Sequence, residues 1–143
     1  MHYCLYVLFT EEDLNTNNVR EQLERRMAPF QESFGEDGEY TENSKWDWYR
    51  IGGRWDGYPI GDVRVSATDG GFNFDEAHES LTYNLAHVKD ALVLDHLPFC
   101  ILTTEGEWIE KGFSKFGPRQ DEDIRTILRQ NSDKYLLCVD IHR

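Results

Sequence analysis

The segment Lys45-Trp46-Asp47-Trp48-Tyr49-Arg50-Ile51-Gly52-Gly53-Arg54-Trp55 gathers three of the chain's four tryptophans around two arginines and a glycine pair. Flat indole rings are surfaces on which a nucleobase stacks, and a glycine pair lets backbone N–H groups approach an anion. The Arg54 guanidinium can pair with a phosphate through two parallel hydrogen bonds. In an extended strand Trp46, Trp48 and Arg50 point to one face and Asp47, Tyr49 and Ile51 to the other, so two rings are expected to line one surface. The residues expected to bind a ligand are therefore Trp46, Trp48, Tyr49, Arg50, Gly52, Gly53, Arg54 and Trp55. Lys111, after Trp108, is a further candidate anion contact. The competing reading is structural: tryptophans as core or interface packing, Gly52-Gly53 as a turn, and Lys111 as a solvated hairpin residue.

A second constellation is His2, Asp140 and His142, with Cys4 and Cys138 on the same strand faces. Two histidines and a carboxylate are a plausible donor set for a divalent ion, which could polarise a phosphoryl group and activate water in a phosphodiesterase or nuclease. The set exists only if the two terminal strands are neighbours, and histidines at strand ends are otherwise ordinary hydrogen-bonded surface residues. His78, His87 and His96 lie nine apart without an HExxH pattern and are poor ligand candidates. The chain has no P-loop, no GxGxxG after a strand, no GxSxG elbow and no cysteine with an activating partner. No catalytic residue and no cofactor is assigned, and binding is expected rather than catalysis.

These side chains must be carried by strands and helices that the residue pattern also describes. His2 to Phe9 alternates, with Tyr3, Leu5, Val7 and Phe9 on one face and His2, Cys4, Tyr6 and Leu8 on the other, which predicts a buried first strand. Asn18 caps a helix in which Val19, Leu23 and Met27 recur every fourth residue, and Ala28-Pro29 ends it. Strands are expected over Trp46–Ile51 and Asp62–Ala67, with a turn at Asp69-Gly70-Gly71. Leu81, Leu85, Val88 and Leu92 predict one helix from a Ser80 cap to about Val93. Phe99–Thr103 and Trp108–Lys111 form a hairpin, Asp121–Gln130 a helix with Arg119, Arg125 and Arg129 facing solvent, and Lys134–His142 the last strand. The expected fold is a single α+β domain over residues 1–143, a mostly antiparallel sheet covered by two or three helices as a ferredoxin-like variant. That topology sets the first and last strands side by side and brings His2 near His142.

The chain has 143 residues and a formal net charge of −12, from 27 acidic against 15 basic residues. One core is the natural outcome at this length, and a field of that sign repels a nucleic-acid polymer. The apolar opening is too short to span a bilayer and lacks a signal peptide's flanks, so no membrane association is expected. Cys4, Cys100 and Cys138 sit in apolar runs and read as reduced core thiols, which fits a cytoplasmic location. Glu32 to Glu42 is acidic, glycine-punctuated and expected to be a mobile loop. The exposed aromatic surface makes a homo-oligomer reasonable.

The Lys45–Trp55 segment, variable at Arg50, resembles the signature of an uncharacterised family of small bacteriophage and prophage proteins. The resemblance extends to Met1-His2 and its apolar strand, to Glu21-Gln22-Leu23 and Ala28-Pro29-Phe30, to Gly106–Gly112, and to Val139-Asp140-Ile141-His142. Many members carry a cysteine-rich insertion before the tryptophan segment that is similar to a zinc knuckle. Here Glu32–Asn43 contains no cysteine, so that feature does not carry over. The resemblance implies a phage context in the host cytoplasm and no particular reaction. With the aromatic and arginine cluster, it makes a nucleotide-binding protein that sequesters a host immune signal the leading expectation. A metal-dependent phosphodiesterase or nuclease, and an acidic inhibitor that mimics nucleic acid on a host protein, are the alternatives.

Overall fold

The computed structural model describes residues 1–16, 18–62, 80–111 and 119–143. Strand β1 (His2–Phe9) pairs along its whole length, antiparallel, with β6 (Tyr135–His142), so that His2 lies opposite His142 and Phe9 opposite Tyr135. On the other side of β1, strand β4 (Cys100–Leu102) runs parallel to it and turns back into β5 (Trp108–Glu110). The outer edge of β6 is covered by two short strands laid end to end. β2 (Trp48–Ile51) pairs with Val139–His142, and β3 (Leu85–His87) pairs with Tyr135–Leu137. The protein is thus α+β, built on a six-stranded sheet in which every pair but β1–β4 is antiparallel.

The alternation in β1 sends its side chains into two cores. Leu5, Val7 and Phe9 join Leu137, Val139, Ile141 and Leu102 on one face, under Leu23 and Met27 of helix α2 (Val19–Met27). The short helix α1 (Glu11–Thr16) precedes it. Helix α2 starts where the Asn18 side chain accepts the backbone N–H groups of Arg20 and Glu21, satisfying donors that the first turn leaves open. Cys4, Tyr6 and Leu8 join Leu136, Cys138 and Ile101 on the opposite face, covered by Val88 and Ala91 and by Ile124 and Leu128 of helix α5 (Arg119–Gln130). Helices therefore lie on both faces, which is why the central strands carry apolar residues at nearly every position. Among the described residues no helix is long and apolar enough to cross a membrane.

Two expectations change. The single helix predicted from Ser80 to Val93 is broken into α3 (Leu81–Asn84), strand β3 and α4 (Val88–Leu94). Because β2 stops at Ile51, the outer edge of Tyr135–Leu137 needs a partner for its peptide groups, and Leu85–His87 supplies it. Helical spacing in this stretch was overridden by that tertiary demand. The strand predicted over Trp46–Ile51 begins at Trp48, and Trp46 instead forms a parallel bridge with Gln31. Within the loop at Glu32–Glu42, Phe34 bridges Tyr40, their rings stack at 4.7 Å, and the Ser33 and Thr41 hydroxyls join that of Ser44 in hydrogen bonds. Apart from Asp62, the strand expected over 62–67 lies outside the described residues, as do the turn at 69–71, His78 and Gly112.

Candidate functional site

The glycine pair sits at the junction where β2 hands the edge of β6 over to β3. Gly52 donates its N–H to the Cys138 carbonyl at 2.9 Å, and the chain then leaves the ladder with φ of 72° at Gly52 and 54° at Gly53. Only glycine holds such angles without strain, and here space demands it as well. A Cβ on Gly53 would lie 2.5 Å from the Cβ of Asp140, and one on Gly52 would lie 2.7 Å from both Asn84 Nδ2 and Asp56 Oδ1. The turn is therefore pressed onto two buried carboxylates, not held over solvent.

Asp140 is fully buried in β6. The Arg54 backbone N–H donates to its Oδ2 at 3.0 Å, and His2 Nδ1–H donates to its Oδ1 at 2.7 Å. Burial pushes this carboxyl above its ordinary range, while the Arg54 amide, the His2 contact and the Arg54 charge pull against that rise. Beneath the turn, Asn84 donates to Asp56 Oδ1 and to the Ser80 carbonyl, both at 2.7 Å, and accepts from Gly57 N–H at 3.2 Å. This polar layer holds the glycine turn against the sheet.

The strand register carries the cluster toward the surface. Arg50 lies opposite Asp140 and Trp48 opposite His142, while His142 faces His2 across β1. Residues directly opposite in an antiparallel pair share a sheet face, so Trp48, Arg50, Asp140, His142 and His2 form one patch at the end of the sheet. The His2 and His142 rings are 5.0 Å apart at 70°, and Trp48 meets His2 edge-on at 6.1 Å. His142 Nδ1–H donates to Asp47 Oδ1 at 2.7 Å. Trp48 and the His142 side chain are each 39% exposed, whereas the His2 side chain is 17% exposed and Arg50 is buried, so the patch is open at its outer row and closed at its inner one.

The ligand candidates read from the sequence divide accordingly. Arg50, Gly53 and the Arg54 backbone come together around Asp140, Trp48 lies one register row outward opposite His142, and Gly52 faces Asn84 and Asp56. Trp46 does not join them: it packs into the opposite core edge-on to Tyr49 at 4.9 Å, and its indole N–H donates to the Met27 carbonyl at 2.9 Å. The expectation that Trp46 and Trp48 line one surface fails because strand alternation begins only at Trp48. Tyr49 packs on the same core as Trp46, and Trp55 is half-buried against the other. Lys111 follows β5 on the far edge of the sheet and is paired with Asp121, as a solvated hairpin residue would be.

His2, Asp140 and His142 do approach one another, as the pairing of the terminal strands predicts. Among the described residues, however, no three His, Cys, Asp or Glu side chains are arranged to hold a metal ion. Both Asp140 oxygens are engaged by protein donors, and each histidine Nδ1 is turned to its own carboxylate. What sequence reasoning missed is Asp47 as a partner of His142, together with Asp56 and Asn84 as the floor of the turn. The three cysteines are buried and unbridged. Burial and the neighbouring Cys138 raise the Cys4 thiol well above its ordinary range, which leaves no thiolate nucleophile there. His96 stacks on Tyr58 and His87 packs on Tyr135, both in structural roles. A separate cleft of about 280 Å³ on the opposite face is lined by Glu32, Tyr40, Ser44, Lys45, Trp46 and Arg143. Its two cations share Glu110 as an ion-pair partner, and Glu32 in the lining adds a second negative charge. No family model, curated protein or solved structure matches the chain.

Proposed function

We propose that the protein binds a small phosphorylated nucleotide on the patch formed by Trp48, His2 and His142. The observation that carries this reading is the exposed Trp48 indole beside two carboxylate-anchored imidazoles, one of them, His2, backed by the buried Asp140. An indole of this kind offers a stacking surface to a base of any identity, and the exposed His142 imidazole offers a donor to a phosphate. The whole chain has a formal net charge of −12, so a ligand with few phosphates is tolerated where a polymer is repelled. The resemblance of Lys45–Trp55 to phage proteins supports a role in removing a host signalling nucleotide during infection, in the host cytoplasm.

Equilibrium dialysis against cyclic AMP, cyclic GMP, cyclic di-AMP and ADP-ribose tests the site. Binding by the wild-type chain is expected for at least one of them. Trp48→Ala should weaken it by about 1–3 kcal/mol, the worth of one base–aromatic stack. Unchanged binding in Trp48→Ala, or none by the wild type, refutes the assignment.

A further inference from the structure

We infer that the outer edge of β5 pairs with the β5 of a second copy of this chain, antiparallel across a two-fold axis at Ile109, so that two six-stranded sheets join into one. The inference is independent of the nucleotide site, whose residues stand on β1, β6 and β2. β5 is the last strand of the sheet on the β4 side. The Thr103 N–H donates to the Glu107 carbonyl at 2.9 Å and the Lys111 N–H to the Phe99 carbonyl at 3.0 Å, so the odd-numbered residues of this hairpin exchange bonds with β4. Ile109 therefore turns its peptide groups inward, whereas Trp108 and Glu110 turn theirs out of the sheet. Among the described residues no backbone bond reaches those outward groups. An open row of this kind is a template for another strand.

The residues along this edge are complementary to their own copy. With the axis at Ile109, Trp108 stands opposite the partner's Glu110 and Glu110 opposite the partner's Trp108, and each of these pairs exchanges both of its backbone bonds. Glu107 then faces the partner's Lys111, and Ile109 faces the partner's Ile109, in the rows where side chains come closest. Glu107 is exposed and Ile109 partly so. The Lys111 ammonium is held by Asp121, but it carries three donors, which leaves others for the partner's Glu107. Glu110 is already balanced by Arg143 and Lys45, so it enters the joint without an uncompensated charge. Moving the axis to Glu110 sets that carboxylate against its own copy, and moving it to Trp108 leaves Glu107 facing Ile109. Charges that commonly guard a sheet edge against pairing here select a single register. Opposite charges in both outer rows, with an apolar contact at the axis, are what an isologous joint requires.

Sedimentation equilibrium of the full chain across the micromolar range reads the assembly. Wild type is expected to form a dimer that dissociates on dilution. Glu107→Lys and Lys111→Glu each set like charges opposite one another in both outer rows, and each should weaken the dimer about tenfold or more. An equimolar mixture of the two variants restores both charge pairs, as does the double variant, and either should dimerise about as well as wild type. Thermal unfolding checks that every variant is folded. Amide exchange read by NMR needs no variant: the Trp108 and Glu110 amides should exchange slowly in the dimer and fast on dilution, while the Ile109 amide stays protected in both. A wild-type monomer throughout the range overturns the inference. So does a dimer indifferent to both single variants, or a loss that neither the mixture nor the double variant restores. Trp108 and Glu110 amides that exchange alike in dimer and monomer overturn it as well.

Discussion

Replacing Gly53 by alanine separates the two reasons why glycine stands there. At φ of 54° an alanine costs about 1–2 kcal/mol from backbone strain alone. Its Cβ would also sit 2.5 Å from the Asp140 Cβ, an overlap with a buried strand residue that cannot swing aside. Relieving it lifts the turn and lengthens the hydrogen bond from the Arg54 amide to Asp140 Oδ2, a bond to a charged group worth roughly 1.5–3 kcal/mol. The expected destabilisation is therefore about 2.5–5 kcal/mol. Gly38 provides the internal control, because its φ is 80° and nothing lies within 4 Å of its Cβ position. Gly38→Ala should show only the strain, about 1–2 kcal/mol. Urea unfolding followed by tryptophan fluorescence and circular dichroism measures both variants. If Gly53→Ala costs no more than Gly38→Ala, the turn is not pressed onto Asp140 and the geometry of the site is wrong.

Asn84→Ala removes the donor to buried Asp56 and the acceptor of Gly57 N–H, and should cost about 3 kcal/mol or more in the same urea assay. A loss below about 1 kcal/mol, no more than an ordinary hydrogen bond, would contradict a supporting role for Asn84. Burial pushes the Glu110 carboxyl up, but the hydrogen bond and charge of Arg143, with the charge of Lys45, outweigh it and hold the folded-state pKa below the ordinary value. Its stabilising share is therefore complete above the ordinary glutamate pKa and is lost as pH falls through the depressed folded value. Thermal unfolding across acidic pH should show Arg143→Met losing stability at neutral pH and converging on wild type at low pH. Parallel curves would refute the pairing.

The residue pattern by itself determined the elements whose signal is local. The two faces of β1, the Asn18 cap, the hairpin around Gly106 and helix α5 all follow from side-chain periodicity, capping and turn chemistry within a dozen residues. It also singled out Lys45–Trp55 as the segment proposed to bind a ligand, and the antiparallel approach of His2 to His142 followed from placing the first and last strands side by side. What only the tertiary structure decided depends on partners distant in the chain. Leu81–Leu92 has helical spacing, yet the uncovered edge of β6 turns its middle into a strand. Trp46 has the composition of a strand residue, yet the bridge to Gln31 starts the alternation later and sends its ring to the opposite core. The partners of Gly53, His142 and Asp56 are Asp140, Asp47 and Asn84, and no spacing rule connects 53 with 140 or 56 with 84. A buried carboxylate must find its donors wherever the fold brings them, so the polar layer beneath the site becomes visible only when the sheet register is known.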